Sequence, residues 1–183
     1  KSVRGSDPDA AVYWLHRMLQ GGEDPKFILR RLTRMAMEDI GLADPNALLL
    51  ANAARQAFEF MGIPEGIIGL DEVAIYLSLA PKSNTVEVAG MTAEALIRRT
   101  GTLPVPRAFR NSVTKVGEAL GYGDGYRYDH DSPGAYSAQE HLPKQLEGTE
   151  IYKPTEYGKE KQLAERLRAL KEIKRNAQGN AGK

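Results

Sequence analysis

Apolar residues recur every third or fourth position through most of the first hundred residues, in blocks opened by Asp-Pro pairs and closed by glycine. The pairs Asp7-Pro8, Asp24-Pro25 and Asp44-Pro45 each read as an N-cap followed by proline at the first helical position. There the aspartate accepts an otherwise unpaired backbone N–H, and proline has none to leave unpaired. They predict a first helix from residue 8 to about 19, stopped by Gly21-Gly22. A second runs over 25–40 to Gly41, with Phe27, Ile28, Leu32, Met35 and Ala36 as its apolar stripe. A third runs over 45–61 to Gly62, with Leu48, Ala51, Ala54, Phe58 and Met61 on one face. The segment 70–80 is apolar on nearly all sides (Val73, Ala74, Ile75, Leu77, Leu79), which places it centrally, and Pro81 helps end it. A fifth helix is predicted over 85–99. No strand-like alternation and no Asn-Gly hairpin signal occurs. The Asp-Pro starts lie 17 and 20 residues apart, but the intervening sequences do not match, so no repeat is assigned. The pattern predicts an all-α fold of antiparallel helical hairpins, because the connections are short.

The character changes after Gly101. Leu103-Pro104-Val105-Pro106 is extended, since proline disfavours helix in the residue before it. A short helix is expected over 112–120. Residues 121–154 open with Gly121-Tyr122-Gly123-Asp124-Gly125-Tyr126-Arg127-Tyr128-Asp129-His130-Asp131 and read as one long irregular segment. That length signals function or an interface. Thr155 then caps a charged helix over 156–174 whose apolar stripe is Leu163, Leu167 and Leu170, and 176–183 fray. Residues 1–120 are thus expected to form a compact helical core for oligomerisation. Residues 121–183 would add the irregular Gly/Tyr-rich segment and the C-terminal helix, packed on the same domain.

Composition narrows the chemistry. The chain has 183 residues and no cysteine, which excludes disulfides, thiolate catalysis and cysteine zinc sites. Apolar residues make up 42% and charged residues 27%, an ordinary globular balance. No apolar run approaches the roughly 18 residues of a membrane span, and no basic start with an apolar stretch marks a signal peptide. Lys1 in place of an initiator methionine suggests a piece of a longer protein. The net charge of +1 conceals a division: 151–183 hold nine Lys/Arg against four Asp/Glu, so the tail is basic and the body acidic. Such a division marks a nucleic-acid contact in some proteins and a solvated tail in others.

Several clusters are candidates for function. Arg98, Arg99, Arg107, Arg110, Lys115 and Arg127 lie in one stretch against only Glu118 and Asp124, and six of the eight tyrosines follow Gly121. Cations beside aromatics suit single-stranded nucleic acid, phosphates on the one and bases on the other. The same tyrosines also suit packing of an irregular segment onto a helical body, or a subunit contact. Asp129-His130-Asp131 with His141 carries metal-ligand chemistry, but neighbours in a turn do not converge, so no metal site is expected. Glu38 and Asp39 are read as pairing with Arg30, Arg34 or a neighbouring subunit, and Trp14 as core or interface. Pro81-Lys82-Ser83-Asn84 reads as a helix cap, with anion binding at the helix N-terminus as the alternative.

These residues fall into blocks that resemble a known family. Ser2-Val3-Arg4-Gly5-Ser6-Asp7-Pro8-Asp9-Ala10-Ala11 precedes Tyr13-Trp14, and Gly22-Glu23-Asp24-Pro25, Arg30-Arg31-Leu32 and Ala36-Met37-Glu38-Asp39-Ile40-Gly41-Leu42-Ala43-Asp44-Pro45 follow. Then come Ala74-Ile75-Tyr76-Leu77, Ala80-Pro81-Lys82-Ser83-Asn84, Arg110-Asn111 with Thr114-Lys115, and Leu120-Gly121-Tyr122-Gly123 running into Tyr126-Arg127-Tyr128-Asp129-His130-Asp131. Together they resemble the C-terminal domain of the replication-associated recombination protein A (RarA, also called MgsA) ATPases, relatives of the Werner helicase-interacting protein. The stretch 86–101 and positions Ala108, Phe109, Ser112, Val113 and Val116 depart from that pattern.

The resemblance implies an AAA+ clamp-loader-like ATPase acting at stalled forks and on single-stranded DNA ends, with a C-terminal helical domain that builds a homotetramer. It places the motor upstream of Lys1, in keeping with the lack here of a Gly-x-x-x-x-Gly-Lys-Ser/Thr loop. The chain is therefore expected not to be an enzyme and to hold no cofactor of its own, ATP and magnesium belonging to the upstream domain. Expected partners are further copies of itself, single-stranded or fork-like DNA and single-strand-binding protein, with no membrane, in a bacterial cytoplasm at the nucleoid or fork. Trp14, Arg30, Arg34, Glu38, Asp39 and Tyr76 are the interface candidates. The leading reading is a tetramerisation scaffold; the alternative is a monomeric helical DNA-binding module using 98–128.

Overall fold

A computed structural model describes residues 1–111 and 115–181, apart from the side chains of Lys115, Glu118, Asn180 and Ala181. Among the described residues the regular structure is helical throughout, without strands: α1 (Pro8–Gln20), α2 (Pro25–Met35), α3 (Asn46–Met61), α4 (Ile67–Leu79), α5 (Thr85–Thr100), α6 (Lys115–Ala119) and α7 (Glu160–Ala181). The all-α expectation holds. The chain divides into two compact units, one of Lys1–Met91 with Tyr152–Ala164, the other of Thr92–Ile151 with Glu165–Lys183.

The first unit is built on α4, against which α1, α2 and α3 all pack. Its Leu70, Val73 and Leu77 are fully buried, together with Leu29 of α2 and Ile40. Burying one such side chain is worth about 1.5–3 kcal/mol. The caps work as the Asp-Pro pairs predict: Asp7 Oδ1 accepts from the Ala10 N–H at 2.9 Å, and Asp24 Oδ1 from the Lys26 N–H at 2.9 Å. Asp44 accepts from the Asn46 N–H at 3.2 Å, so α3 starts one residue later than its proline.

Several sequence expectations are corrected. The second helix does not run unbroken to residue 40: α2 ends at Met35, and a five-residue π turn (Ala36–Ile40) and a 3-10 turn (Gly41–Ala43) follow. Gly41 sits at φ 51°, and a side chain there would meet the Ser83 carbonyl oxygen at 3.2 Å. That positive φ stops the helix. Leu29 rather than Phe27 belongs to the buried stripe, while Ala47 rather than Met61 is buried on α3. The first swap shifts the buried face by two residues, while on α3 the expected stripe is kept at Ala51, Ala54 and Phe58 and only its last residue, Met61 at the helix end, is exposed. The short helix expected over 112–120 is seen as α6; residues 112–114 lie outside the described residues. The last helix begins at Glu160, not 156, and 176–181 are helical rather than frayed.

The later start has a definite cause: Glu160 is fully buried. Its carboxylate accepts from Ser83 Oγ at 2.6 Å, Tyr152 OH at 2.8 Å, Thr155 Oγ1 at 2.6 Å, and Thr85 Oγ1. Thr155 donates its hydroxyl to this carboxylate while its oxygen accepts from the Tyr157 N–H at 3.3 Å, in a turn that precedes the helix. The anion at the start of α5 is the chain's own. Lys82 donates to the Ser78 and Ala80 carbonyls at the end of α4, at 2.9 and 2.7 Å, and burial lowers its pKa. Beside the same turn, Lys159 donates its N–H to the Ala43 carbonyl at 2.8 Å. Gly158, at φ 52°, lies so close that a Cβ would meet the Ala43 oxygen at 2.2 Å. Only glycine fits there.

In the second unit, residues 121–151 are irregular apart from 3-10 turns at Asp129–Asp131, Pro133–Ala135 and Lys144–Leu146. Along α7, Leu163 is exposed and Ala164 buried, a one-residue rotation of the predicted stripe. Lys171 pairs with Glu150 and Lys174 with Glu140, each at 2.5 Å.

This packing sets two expectations for stability. Leu77→Ala should lower unfolding stability by about 2–5 kcal/mol, whereas Leu49→Ala, exposed on α3, should stay within about 0.5 kcal/mol, measured by urea melts at equal monomer concentration. Burial pushes the Glu160 carboxyl up, but its four hydroxyl partners outweigh this and hold it at about 2, against 4.5 for an ordinary glutamate. A depressed native pKa stabilises fully above the unfolded value and is lost as pH falls from about 4.5 towards about 2. The contribution is up to about 3 kcal/mol. Wild-type urea midpoints should drop across that window more than those of Glu160→Gln, and the variant should be the less stable at neutral pH.

Candidate functional site

The first unit leaves an apolar face uncovered. On α4 the buried residues occupy one side, while Ile68, Ile75 and Leu79 stand on the other, Ile68 71% and Leu79 67% exposed. The spacing of 68, 75 and 79 is one helical stripe. Asp71, Glu72 and Tyr76 complete a shallow groove with them. At the end of α3 and in the following turn, Phe60 is 92% exposed and Ile63 68%. Asp71 is engaged by His16 Nε2 at 3.0 Å. Tyr76 donates its hydroxyl to Asp44 Oδ2 at 2.5 Å; that bond and then burial raise its pKa.

The interface residues expected from sequence divide into two groups. Trp14 is 57% exposed, edge-on to Tyr13 at 5.1 Å, and shares a second apolar groove with Met18, Phe27 and Met35. Arg30 lies 5.7 Å from the Phe27 ring centre. Arg34, Glu38 and Asp39 are used within the chain. Arg34 Nε donates to Glu38 Oε2 at 2.5 Å, one turn along, and this hydrogen bond is the main reason the Glu38 pKa is lowered. Asp39 takes both Nε and Nη2 of Arg4, at 2.6 and 3.1 Å, and Arg4 also reaches Glu38 at 3.2 Å. Arg4 carries no local signal of this role, being 35 residues from its partner. A two-pronged guanidinium–carboxylate pair fixes geometry as well as charge, so Arg4 anchors the first turn of the chain to the end of the second helical segment.

The basic segment lies in the second unit. Arg98 and Arg99 are on α5, where Arg98 faces Glu94 one turn back at 3.6 Å. Arg110 is a structural residue: its Nε donates to the Val105 carbonyl at 2.7 Å and its guanidinium lies 5.0 Å from the Tyr122 ring centre. The Lys115 side chain lies outside the described residues. Arg107 and Arg127 are exposed. Sequence reading did not single out Phe109, which stacks on His141 at 4.4 Å and meets Tyr126 edge-on at 5.9 Å. Its only signal is an aromatic residue between two arginines.

Among the described residues no three His, Asp or Glu side chains converge as a metal site. Asp129 instead accepts from the Ser137 hydroxyl and N–H, at 2.5 and 2.9 Å, and those two bonds, the hydroxyl first, lower its pKa. No described helix is long and apolar enough to cross a membrane.

Comparison with known proteins agrees with the sequence blocks. The family model described as MgsA AAA+ ATPase C terminal matches residues 5–171. Replication-associated recombination protein A of Haemophilus influenzae is 46% identical over 178 residues, 97% of this chain and 40% of that protein. The protein of the same name from Coxiella burnetii is 44% identical over 174 residues, 94% of this chain and 40% of its own length. ATPase WRNIP1 of Dictyostelium discoideum is 44% identical over 162 residues, 88% of this chain and 17% of that protein. The chain thus spans well under half the length of these relatives. With a family match running from Gly5 through the capped helices and past the Glu160 node, the chain belongs to the family of MgsA AAA+ ATPase C-terminal domains.

Proposed function

We propose that this chain is a self-assembly and scaffold module that gathers four copies of a clamp-loader-like AAA+ ATPase for replication-fork maintenance and recombination. One observation carries the reading: α4, the central helix, is apolar on both sides, and its outer stripe of Ile68, Ile75 and Leu79 is exposed. A helix apolar all round belongs inside a structure, and contiguous exposed apolar surface marks an association site. Arg34, Glu38 and Asp39 support it indirectly, because their charges are matched within the chain and leave the apolar stripe as the driving surface.

In this reading the full-length protein binds ATP and magnesium in an upstream domain and couples four motors by holding them in fixed register. It works on single-stranded or fork-like DNA in the cytoplasm, with single-strand-binding protein among its partners. The names of the relatives support the setting in replication-associated recombination. The module itself does no covalent chemistry. Its output is geometry.

Light scattering across a concentration series tests the assembly. Four chains of 20.1 kDa should give a stable mass of about 80 kDa, and the double substitution Ile68→Glu, Leu79→Glu should return it to one chain with helicity unchanged, since charges at a desolvated contact cost several kcal/mol. A wild-type chain that stays monomeric at every concentration overturns the reading.

A further inference from the structure

The outer side of α4 carries two acids beside its apolar stripe. Asp71 and Glu72 line the groove with Ile68, Ile75, Tyr76 and Leu79, and among the described residues no lysine or arginine lines it. Asp71 meets His16 of α1, whose Nε2 stands 3.0 and 3.1 Å from its two carboxylate oxygens. The Asp71 side chain is 25% exposed and that of His16 48%, so the pair is still hydrated while α4 is bare.

The other titratable groups on the surrounding elements are accounted for. On α1, Arg17 donates to Gln20 at 3.4 Å and Tyr13 lies edge-on to Trp14. On α2, Arg34 is taken by Glu38, Arg30 lies by the Phe27 ring and Arg31 lines the Trp14 groove. Asp9 and Lys26 stand in the first turns of α1 and α2. On α3, Arg55 pairs with Glu59 at 2.8 Å. On α4 itself, Tyr76 is bound to Asp44 and Glu72 is exposed. His16 is the group placed to set the charge on Asp71.

A two-fold contact lays the same patch on both copies. Covering α4 with a second copy therefore brings the acids of each copy together and takes water from Asp71. Like charges placed together out of water oppose the contact. An imidazolium cancels one of them on each copy. A neutral imidazole still donates an N–H to Asp71 but leaves its charge standing. Resting on the assembly reading above, we infer that the His16–Asp71 pair makes self-assembly through α4 proton-dependent: copies join with His16 charged and part as it loses its proton. Association then takes up protons. It is favoured as pH falls towards about 6.5, where an ordinary histidine charges, and weakens as pH rises above that value.

Sedimentation equilibrium at about pH 6 and about pH 8, either side of the ordinary histidine range and at constant ionic strength, reads the dissociation constant. For the wild-type chain it should rise about tenfold or more between the two. His16→Gln, which keeps a donor but no charge, should be flat and as weak as wild type at the higher pH. His16→Lys, charged at both values, should stay tight at both. Asp71→Asn, which removes the acid, should be flat and as tight as wild type at the lower pH. A merely structural pair would weaken assembly in every variant and leave the pH profile unchanged, which overturns the inference. His130, His141 and the α-amino group remain in His16→Gln, so a pH dependence that survives there belongs to them and overturns it too. Circular dichroism at both pH values separates lost assembly from lost fold. Ile68→Glu with Leu79→Glu locates the contact: assembly that this pair abolishes but that ignores pH overturns only the proton dependence. Assembly that this pair leaves intact, or a wild-type chain monomeric at both values, overturns the assembly reading as well.

Discussion

One buried carboxylate closes the first unit. Glu160 has no cation beside it among the described residues; four hydroxyls from two stretches of chain aim their O–H dipoles at it. An isolated ion in that position would be prohibitive, and neutral donors make it tolerable only if all of them are in place together. The requirement is cooperative. Ser83 and Thr85 must stand at the start of α5, and Tyr152 and Thr155 must arrive from a segment nearly seventy residues later. With them come the contact of Gly158 on Ala43 and the turn that Lys82 completes at the end of α4. The returning segment is thereby held against the loop that follows the central helix.

That helix is the second organising element. It is apolar on nearly all sides, yet only one side is filled by α1, α2 and α3. A core of small residues on α3 (Ala47, Ala51, Ala54) lets the helices approach closely, so the unit is well packed without using the outer stripe. The division between buried Leu77 and exposed Leu79 separates the side that specifies the fold from the side left bare.

The second unit solves a different problem. Its long irregular segment cannot pair its backbone in regular ladders, so polar side chains do so locally: Gln139 serves Arg127, Ser137 and Asp129 serve each other, and Arg110 serves Val105. Internal polar groups thus substitute for secondary structure. Beside those groups Tyr126, Arg127 and Tyr128 remain exposed.

The one-dimensional pattern of this chain determined the all-α class, the caps at Asp7 and Asp24, the centrality of α4 and the irregular character of 121–151, because each depends on neighbours within a turn or two. The family was legible for a related reason: its blocks coincide with caps, turns and glycine positions that are local in sequence. The pairing of Arg4 with Asp39 and the hydroxyl cage around Glu160 were not legible, since their partners lie 35 and about 75 residues apart and charge alone does not say which acid a cation meets. Sequence proximity grouped Arg98, Arg99 and Arg110 with Arg107 and Arg127, whereas in the structure Arg110 holds the Val105 carbonyl and lies against Tyr122, and Phe109 stacks on His141. Asp71 and Glu72 mark the outer side of α4 in the sequence, but only the packing of α1, α2 and α3 shows that Ile68, Ile75 and Leu79 stay bare beside them.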